Sequence, residues 1–294
     1  MGRRALAAGA AVVSTGVAVA MISVTPALAG PISVKGITTH TVVTTATAAG
    51  NNTAEAEATC GAGELLVGGG YIVNSTATDW RVYVDAPLNG STWLVEPVNF
   101  DANPLSFSVY AICATSAPGG NAITAYTTQL VDTQVDVPAN QTGQALATCP
   151  AGDLRTGGGY DVYNVSPNWS IYTNGPFNGD TWNVEIDNEV PLDTIIDSFA
   201  MCLGKANSKP ITGLAVSTMD THATVQANST QTADVSCDPH TLMTGGGHEM
   251  DSIGQSWSIQ ASAPVSSNDW QVLAASLDSN SRDFDSFAVC LVKV

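Results

Sequence analysis

Six cysteines divide the chain into three copies of one pattern. They fall at Cys60, Cys113, Cys149, Cys202, Cys237 and Cys290, and each successive pair is separated by 53 residues. A pattern that recurs at a fixed period is the sequence signature of a repeat architecture. We therefore predict three tandem modules, which span residues 38–117, 122–204 and 213–294, with an N-terminal linker over residues 30–37.

Other landmarks keep step with the cysteines. Each copy has a glycine triplet, then a tryptophan, a proline and a second tryptophan, and this pattern uses all 6 tryptophans of the chain. The triplets are Gly68–Gly70, Gly157–Gly159 and Gly245–Gly247; the tryptophans are Trp80 and Trp93, Trp169 and Trp182, and Trp257 and Trp270. A triplication of one module is the only arrangement that accounts for this agreement.

The phrases around the cysteines resemble a known module. A-T-C-P-A-G occurs at 147–152, G-G-G-Y at 157–160 and Y-A-I-C-A at 110–114. Together with the W-x-V strands, this pattern resembles a Cys-GGG-Trp-Cys β-repeat family in proteins exported by actinobacteria and other Gram-positive bacteria. The resemblance covers nearly all of the chain after residue 29 and implies an extracellular β-module. Because that family has no assigned activity, it transfers no catalytic residue to this sequence.

Apolar residues alternate along several segments of each copy, as in a half-buried strand. Trp80, Val82 and Val84 form one such run, and an Asn89-Gly90 turn signal separates it from the run that starts at Trp93. Thr, Val and aromatic residues suit a pleated surface. We predict an all-β fold of three antiparallel β-sandwich-like modules. Whether the modules form a string or pack about a pseudo-three-fold axis is left open by these patterns.

The cysteines are predicted to pair within modules, as Cys60–Cys113, Cys149–Cys202 and Cys237–Cys290. Six cysteines allow about 15 pairings, and the repeat symmetry selects this one. A metal site is the alternative interpretation, but the cysteines and histidines lack the spacing of zinc ligands. We predict no metal and no other cofactor.

The N-terminus has the pattern of an export signal. Arg3 and Arg4 precede an uncharged apolar stretch, and Pro26-Ala27-Leu28-Ala29 supplies the small residues of a cleavage site. We predict a signal peptide over residues 1–29, a secreted protein that starts at Gly30, and no membrane insertion after cleavage. An uncleaved membrane anchor is the alternative.

Charge excludes two classes of partner. The formal net charge is −17, and it is −19 without residues 1–29, which contain two arginines and no acidic residue. Nothing offers a basic patch that would neutralise phosphates, so we predict no nucleic-acid partner and no anionic membrane partner. A glycan or another cell-surface ligand remains as the expected partner, and the oligomeric state is open.

Several repeated features have a structural and a functional interpretation. The glycine triplets lack the Lys-Ser/Thr of a phosphate loop, and we expect them to mark bulges or places of close packing. The tryptophans are expected in the core rather than as sugar platforms. If an aromatic ring contacts ligand, we expect Tyr83 and Tyr172, with Gln260 at the same position of the third copy.

Two sets of polar residues carry weaker signals. Each copy has an N-x-[ST] motif that begins nine residues before its first cysteine, at Asn51, Asn140 and Asn228. We expect turns at these motifs rather than glycosylation. Five aspartates of the second and third copies carry carboxylates of the kind that bind calcium: Asp193, Asp197, Asp278, Asp283 and Asp285. No known calcium-loop pattern accompanies them, and we expect solvated loops.

Catalytic motifs are absent from the sequence, so we predict no catalytic residues and no enzyme. The leading hypothesis is a non-enzymatic extracellular module that binds a glycan weakly at three equivalent sites. The first alternative is a structural or assembly protein of the envelope or matrix. The second is a hydrolase whose site lies in module 3, where His240 and His248 are close in sequence.

Overall fold

The computed structural model of the chain describes residues 33–75, 79–164, 166–253, 257–276 and 279–294. Within these ranges the regular structure is all β-strand except for one short 3₁₀ helix, Ala122–Ala125. This confirms the predicted all-β class. The predicted signal peptide and Asp278 lie outside the described residues.

The strands follow the three repeats. The first repeat contains β1 (Ile37–Ala48), β2 (Asn52–Thr53), β3 (Ala56–Thr59), β4 (Leu65–Val73), β5 (Trp80–Pro87), β6 (Thr92–Asn99) and β7 (Leu105–Ser116). The second contains β8 (Tyr126–Val137), β9 (Gln141–Thr148), β10 (Leu154–Val162), β11 (Trp169–Pro176), β12 (Thr181–Asn188) and β13 (Thr194–Lys205). The third contains β14 (Leu214–Val225), β15 (Ser229–Ser236), β16 (Leu242–Met250), β17 (Trp257–Pro264), β18 (Asp269–Ser276) and β19 (Arg282–Lys293).

These strands form three antiparallel sheets, and every sheet combines two repeats. Sheet A has the order β1-β7-β4-β17-β18-β15, sheet B has β2-β6-β5-β10-β13-β8 with β3 also on β6, and sheet C has β14-β19-β16-β11-β12-β9. The tryptophan hairpin of each repeat thus completes a sheet begun by another repeat. The repeats are related by a pseudo-three-fold axis, and a single repeat does not close a sandwich of its own. Period-two patterns show which face of a strand is buried but not which sheet the strand joins.

Consecutive strands turn the corners between sheets. The long first strand of each repeat, β1, β8 or β14, lies at the edge of one sheet, and the next strand enters another. The corner residues Asn51, Asn140 and Asn228 have φ of 53°, 55° and 51°. Asparagine tolerates this left-handed region better than most residues, so the predicted turns are confirmed.

The glycine triplets bring the three sheets together at the axis. A Cβ placed on Gly68 would lie 3.1 Å from the Cα of Gly245, one on Gly245 would lie 3.0 Å from Gly157, and one on Gly157 would lie 3.0 Å from Gly68. The strand register shifts immediately before each triplet, at Gly68, Gly157 and Gly245. The expected bulges and close packing are both confirmed.

The tryptophans fill the space around the triplets. The middle glycines Gly69, Gly158 and Gly246 lie against the indole rings of Trp93, Trp182 and Trp270, respectively. All six tryptophans are at most 3% exposed. Their predicted place in the core is therefore correct.

The disulfides join the sheets to one another. The predicted pairs Cys60–Cys113, Cys149–Cys202 and Cys237–Cys290 are present, with Cα–Cα distances of 5.5, 5.6 and 5.7 Å. In each pair the first cysteine follows a strand at the edge of one sheet, and the second lies in an inner strand of another. Each bond is thus internal to a repeat but ties two sheets together.

Candidate functional site

The three predicted contact residues occupy equivalent β-bulges. The register of the tryptophan hairpin shifts between Val82 and Val84, between Ile171 and Thr173, and between Ile259 and Ala261. Tyr83, Tyr172 and Gln260 are therefore the extra residues of the three bulges. A bulge leaves its extra residue outside the ladder and re-aims the side chain.

Two of these residues do not present a ring or amide to solvent. Tyr83 is 3% exposed, and its ring makes an edge contact with Trp169 at a centroid distance of 4.8 Å. Its hydroxyl donates to the carbonyl of Ser166, 3.1 Å away. Gln260 is 1% exposed. The expectation of three equivalent exposed contacts is wrong, because strand alternation predicts direction but not what folds over the outer face.

Tyr172 is partly exposed and lies in a band of polar residues across sheet C. Through strand pairing, His222 faces Asp285, Asp285 faces Glu249, Glu249 faces Thr173, Thr173 faces Glu185, and Glu185 faces Gln144. We call these six residues, together with Tyr172, the carboxylate band. The band crosses all six strands of the sheet.

Hydrogen bonds hold parts of the band in place. His222 Nδ1 lies 3.0 Å from an oxygen of Asp285. Glu185 accepts from the hydroxyl of Thr173 at 3.0 Å and from the amide of Gln144 at 2.7 Å. Glu249 is exposed and lies between these two groups, whereas Glu185 and Asp285 are partly buried, so Glu249 is the most accessible carboxylate of the band.

The acidic groups of the band perturb one another. Partial burial, with the charges of Glu185, Asp285 and Asp251, raises the pKa of Glu249. Partial burial, with the charges of Glu185, Asp187 and Glu249, raises the pKa of Tyr172 to about 12. Carboxylates held this close repel, and a ligand that donates hydrogen bonds relieves that repulsion.

The equivalent positions of the other sheets differ. In sheet B they hold Gln134, Asp197, Asp161, Val84, Glu96 and Glu55, and in sheet A they hold Thr45, Ser108, Ile72, Ala261, Leu273 and Thr232. Sheet B is acidic, but its bulge tyrosine is covered. Sheet A has no carboxylate at these positions. Of the three bulge residues, Tyr172 alone is partly exposed, and it lies beside the carboxylates of sheet C.

The four described candidate calcium ligands do not share one loop. Asp283 and Asp285 lie within β19, where Asp283 accepts from Thr224 at 2.5 Å. Asp197 lies within β13 and is 5% exposed. Asp193 precedes β13 and accepts from the backbone amide of Ala139 at 2.9 Å. Three of the four described aspartates therefore lie in strands, and the expectation of solvated loops is wrong for these three.

One other cluster has side chains of the metal-ligand type. His40, Glu64 and Cys113 place ligand atoms within 4.8 Å of one another in the described part of the chain. The sulfur of Cys113 is bonded to Cys60, so it supplies no thiolate. The contact between His40 Nε2 and Glu64, at 3.4 Å, is an ion pair when the histidine is protonated.

The histidines considered for a hydrolase occupy different environments. His240 is exposed in the turn before β16, whereas His248 is 1% exposed and lies inside that strand. Six residues of strand from Leu242 to His248 span roughly 20 Å. The structure does not bring the two imidazoles together, so module 3 gains no nucleophile–base pair from them.

The sequence singled out Tyr172 as a ligand contact and Asp285 as a candidate calcium ligand, but it did not predict that they lie in one band or that the other residues join them. Glu249 and Asp285 belong to the third repeat, whereas Tyr172 and Glu185 belong to the second. Their proximity follows from the exchange of hairpins between repeats. The only local signal was the acidic residue three positions after the second tryptophan, Glu96 and Glu185, which the third repeat replaces with Leu273.

The fold and the band define an all-β, disulfide-linked protein of three pseudo-symmetric sheets with one distinctive outer face. No protein-family model and no curated protein sequence matches the chain. No helix in the described part of the chain has the length and hydrophobicity of a membrane-spanning segment. Three disulfides are typical of a protein that folds in an oxidising compartment.

Proposed function

We propose that the protein is a secreted, non-enzymatic binding protein that holds a glycan on the carboxylate band of sheet C. The observation that carries this proposal is the position of the Tyr172 ring, partly exposed between Glu185 and Glu249 on neighbouring strands. A sugar offers a weakly polar ring face and several hydroxyl donors. An aromatic ring packs against such a face, and a carboxylate accepts charge-assisted hydrogen bonds from hydroxyls.

The hydrogen bonds of this surface favour a binding role over a catalytic one. Glu185 is held by Thr173 and Gln144, and Asp285 is held by His222. These contacts orient acceptors toward a ligand. We expect one principal site rather than three, because sheet A lacks the carboxylates and Tyr83 of sheet B is covered. Affinity then depends on one surface and not on avidity.

Secretion is part of the same proposal. The export pattern of residues 1–29 and the three disulfides both favour an extracellular protein. N-terminal sequencing of protein exported by a Gram-positive host tests this. A mature chain that begins at Gly30 is expected, and retention of residues 1–29 contradicts it.

A glycan array with the mature protein, followed by calorimetry on the best oligosaccharide, tests the binding function. Tyr172→Ala is expected to weaken binding about tenfold through loss of ring packing, whereas Tyr172→Phe keeps most of it. Glu249→Gln is expected to weaken binding about fivefold or more through loss of a charged acceptor. The control Glu57→Gln makes the same charge change at an exposed site on β3.

Two results contradict the glycan proposal. One is the absence of binding to any glycan at high micromolar protein concentration. The other is a glycan affinity that stays unchanged in both Tyr172→Ala and Glu249→Gln, which places the site elsewhere. Circular dichroism of each variant confirms that the fold is retained.

One observation favours an assembly role as a second candidate. The tips of the three tryptophan hairpins each expose an apolar side chain at the same repeat position: Leu88 at 50%, Phe177 at 55% and Val265 at 47%. The pseudo-symmetry places all three at one end of the molecule. Light scattering of wild type and of a Leu88→Ser, Phe177→Ser, Val265→Ser variant tests this candidate, which requires a wild-type oligomer that the variant loses.

A further inference from the structure

A small cavity lies on the pseudo-three-fold axis, at the opposite end from the hairpin tips. Its volume is about 40 Å³, and its lining is one complete set of equivalent residues from all three repeats. The lining residues are Tyr71, Tyr160 and His248; Trp80, Trp169 and Trp257; Arg81, Ser170 and Ser258; and Val82, Ile171 and Ile259. We call it the axial cavity.

The three repeats differ in whether their polar groups around this cavity are hydrogen-bonded. The hydroxyl of Tyr71 donates to the carbonyl of Ile259, and that of Tyr160 donates to the carbonyl of Val82, each over 3.1 Å. His248 takes the third place, and neither of its ring nitrogens makes a hydrogen bond of normal geometry to the described residues. The histidine breaks the symmetry of the lining at this level.

Two further groups of the third repeat are buried without a partner. Trp169 donates its indole N–H to the carbonyl of Asn164 at 3.1 Å, but the indole nitrogen of Trp257 finds no acceptor in the described part of the chain. The same holds for the hydroxyl of Ser258. Trp257 is 3% and Ser258 7% exposed. Burying such groups unsatisfied is costly, so something in the cavity is expected to accept from them.

The charge of the lining indicates which kind of ligand accepts hydrogen bonds from Trp257 and Ser258. Arg81 supplies a guanidinium, which donates to the backbone carbonyls of Trp169 at 3.0 Å and Trp80 at 2.7 Å. The described residues of the lining include no carboxylate. An indole N–H and a guanidinium are donors only. The cavity therefore offers donors and one positive charge, which suits an anion.

We propose that the axial cavity binds one small inorganic anion, of the size of chloride or bromide, in contact with Trp257 Nε1 and Ser258 Oγ. A volume of about 40 Å³ is larger than one water needs, and it accommodates a monatomic anion. His248 in its neutral form adds one N–H donor. The anion locks the end of the axis where all three repeats meet, and it does so independently of the glycan proposed for the outer face of sheet C.

Crystals of the full mature protein grown in sodium bromide test this directly by anomalous diffraction. A bromide peak within hydrogen-bond distance of Trp257 Nε1 and Ser258 Oγ is expected. In parallel, the thermal midpoint is expected to rise with chloride or bromide concentration when ionic strength is held constant with sodium gluconate, whose anion is much larger than a halide. This follows because a ligand that binds only the folded chain stabilises it.

Variants separate the anion from general salt effects. Trp257→Phe and Ser258→Ala each remove one donor and are expected to weaken halide affinity about tenfold. Ser262→Ala is the matched control, since it removes a buried hydroxyl of β17 that also lacks a partner among the described residues but lies outside the lining, and it is expected to keep the halide dependence. If Trp257→Phe does not fold, Ser258→Ala alone decides. Water without bromide in the cavity, or halide affinity unchanged in Ser258→Ala, overturns the proposal.

Discussion

Near the axis, three equivalent positions hold Asp85, Asn174 and Ser262, and the difference between them shows how single residues tune the repeat. The indole N–H of Trp93 donates to Asp85 at 2.8 Å, and that of Trp182 donates to Asn174 at 2.8 Å. In the third repeat neither the Trp270 indole nitrogen nor the Ser262 hydroxyl has a partner among the described residues. Asn174 also donates to Asp85 at 3.3 Å. One backbone position thus holds a carboxyl, an amide and a hydroxyl group in turn.

Asp85 should make stability depend on pH. Its side chain is 2% exposed, and burial raises its pKa to about 8. The folded chain then keeps this proton to a higher pH than the unfolded chain, so the free energy of unfolding falls as pH rises from about 4 toward about 8. Asp85→Asn removes this contribution. We expect the variant to be more stable than wild type at pH 8 by about 1–3 kcal/mol and to show no such gain at pH 4.

Urea unfolding at pH 4, 6 and 8 measures the effect of Asp85→Asn. Asp136→Asn, at an exposed position on β8, is the control and should follow the wild-type pH dependence. Parallel pH profiles for Asp85→Asn and wild type would contradict the assignment of the slope to Asp85.

His248 should act in the opposite direction. Burial lowers its pKa to about 3, so between pH 6.5 and 3 the unfolded chain binds the proton that the folded chain excludes. Stability from this residue is therefore present above pH 6.5 and is lost as the pH falls toward about 3. His248→Tyr restores the residue of the other two repeats, and its hydroxyl can donate to Ile171 as Tyr160 does to Val82. We expect its acid unfolding midpoint to move to lower pH.

Acid titration followed by tryptophan fluorescence measures that midpoint. His40→Gln, at an exposed histidine of β1, should leave it nearly unchanged. An acid midpoint of His248→Tyr at or above the wild-type value would show that His248 does not set acid sensitivity.

At the scale of elements, the glycine triplets and the hairpins differ in how far they were predictable. The triplets were predicted as bulges or sites of close approach, because they lie among predicted strands and lack the lysine of a phosphate-binding loop. The hairpins were predicted correctly, but their turns are longer than the two-residue Asn-Gly type. Leu88 N–H donates to Thr92 at 2.9 Å, and neither Asn89 nor Gly90 has positive φ. In the equivalent turn of the second repeat Gly179 has a φ of 40°, so the longer loop permits that conformation without requiring it in every copy.

The middle glycine of a triplet should not accept a methyl group. A Cβ on Gly158 would collide with the Trp182 ring and the Phe199 carbonyl, neither of which can withdraw. We expect Gly158→Ala to lower the free energy of unfolding by about 3 kcal/mol or more, as overpacking of a rigid core does. Gly90→Ala is the control, because nothing lies within 4 Å of its Cβ.

Chemical denaturation of both glycine variants checks this. A Gly158→Ala protein within about 0.5 kcal/mol of wild type would mean that the indole moves aside. The core at the triplet would then be softer than the packing indicates.

At the scale of the whole molecule, the repeats exchange hairpins in a cycle. The hairpin of the first repeat completes the sheet of the second, that of the second completes the sheet of the third, and that of the third returns to the first. Cysteine spacing predicted the three disulfides correctly, since symmetry alone selected them. It could not predict the exchange, because a hairpin has the same local pattern in its own sheet or in a neighbour's. The carboxylate band of Glu249 and Tyr172 escaped prediction for this reason.

The cyclic exchange of hairpins predicts that opening the chain at a connector changes stability little, whereas deleting a repeat changes it strongly. Val294 N–H donates to Gly213, and a Cβ on Gly213 would lie 2.6 Å from Lys35 Nζ, so residues near the two ends of the described chain are neighbours. A circular permutant opened in the connector at 118–121, with residues 33 and 294 joined by a short Gly/Ser linker, keeps every sheet. We expect its thermal midpoint to stay within about 5 °C of wild type.

Deletion of residues 213–294 is the contrasting variant. It removes β17 from beside β4 and β16 from beside β11 and leaves two sheets half built. We expect this chain to show no cooperative thermal transition. Cooperative unfolding of the two-repeat chain by calorimetry would show that the repeats are independent domains after all.

Described as quaternary structure, this chain is a ring of three head-to-tail subunits whose termini have been joined by peptide connectors. A contact in which each unit inserts an element into the next continues indefinitely unless the rotation brings it back to the start. Here it returns after three steps, because the hairpin of the third repeat fills the edge beside β4 of the first. The hairpin of a fourth tandem copy would find the edges beside β4, β10 and β16 already occupied. The number of repeats in one ring is therefore set by closure of the ring.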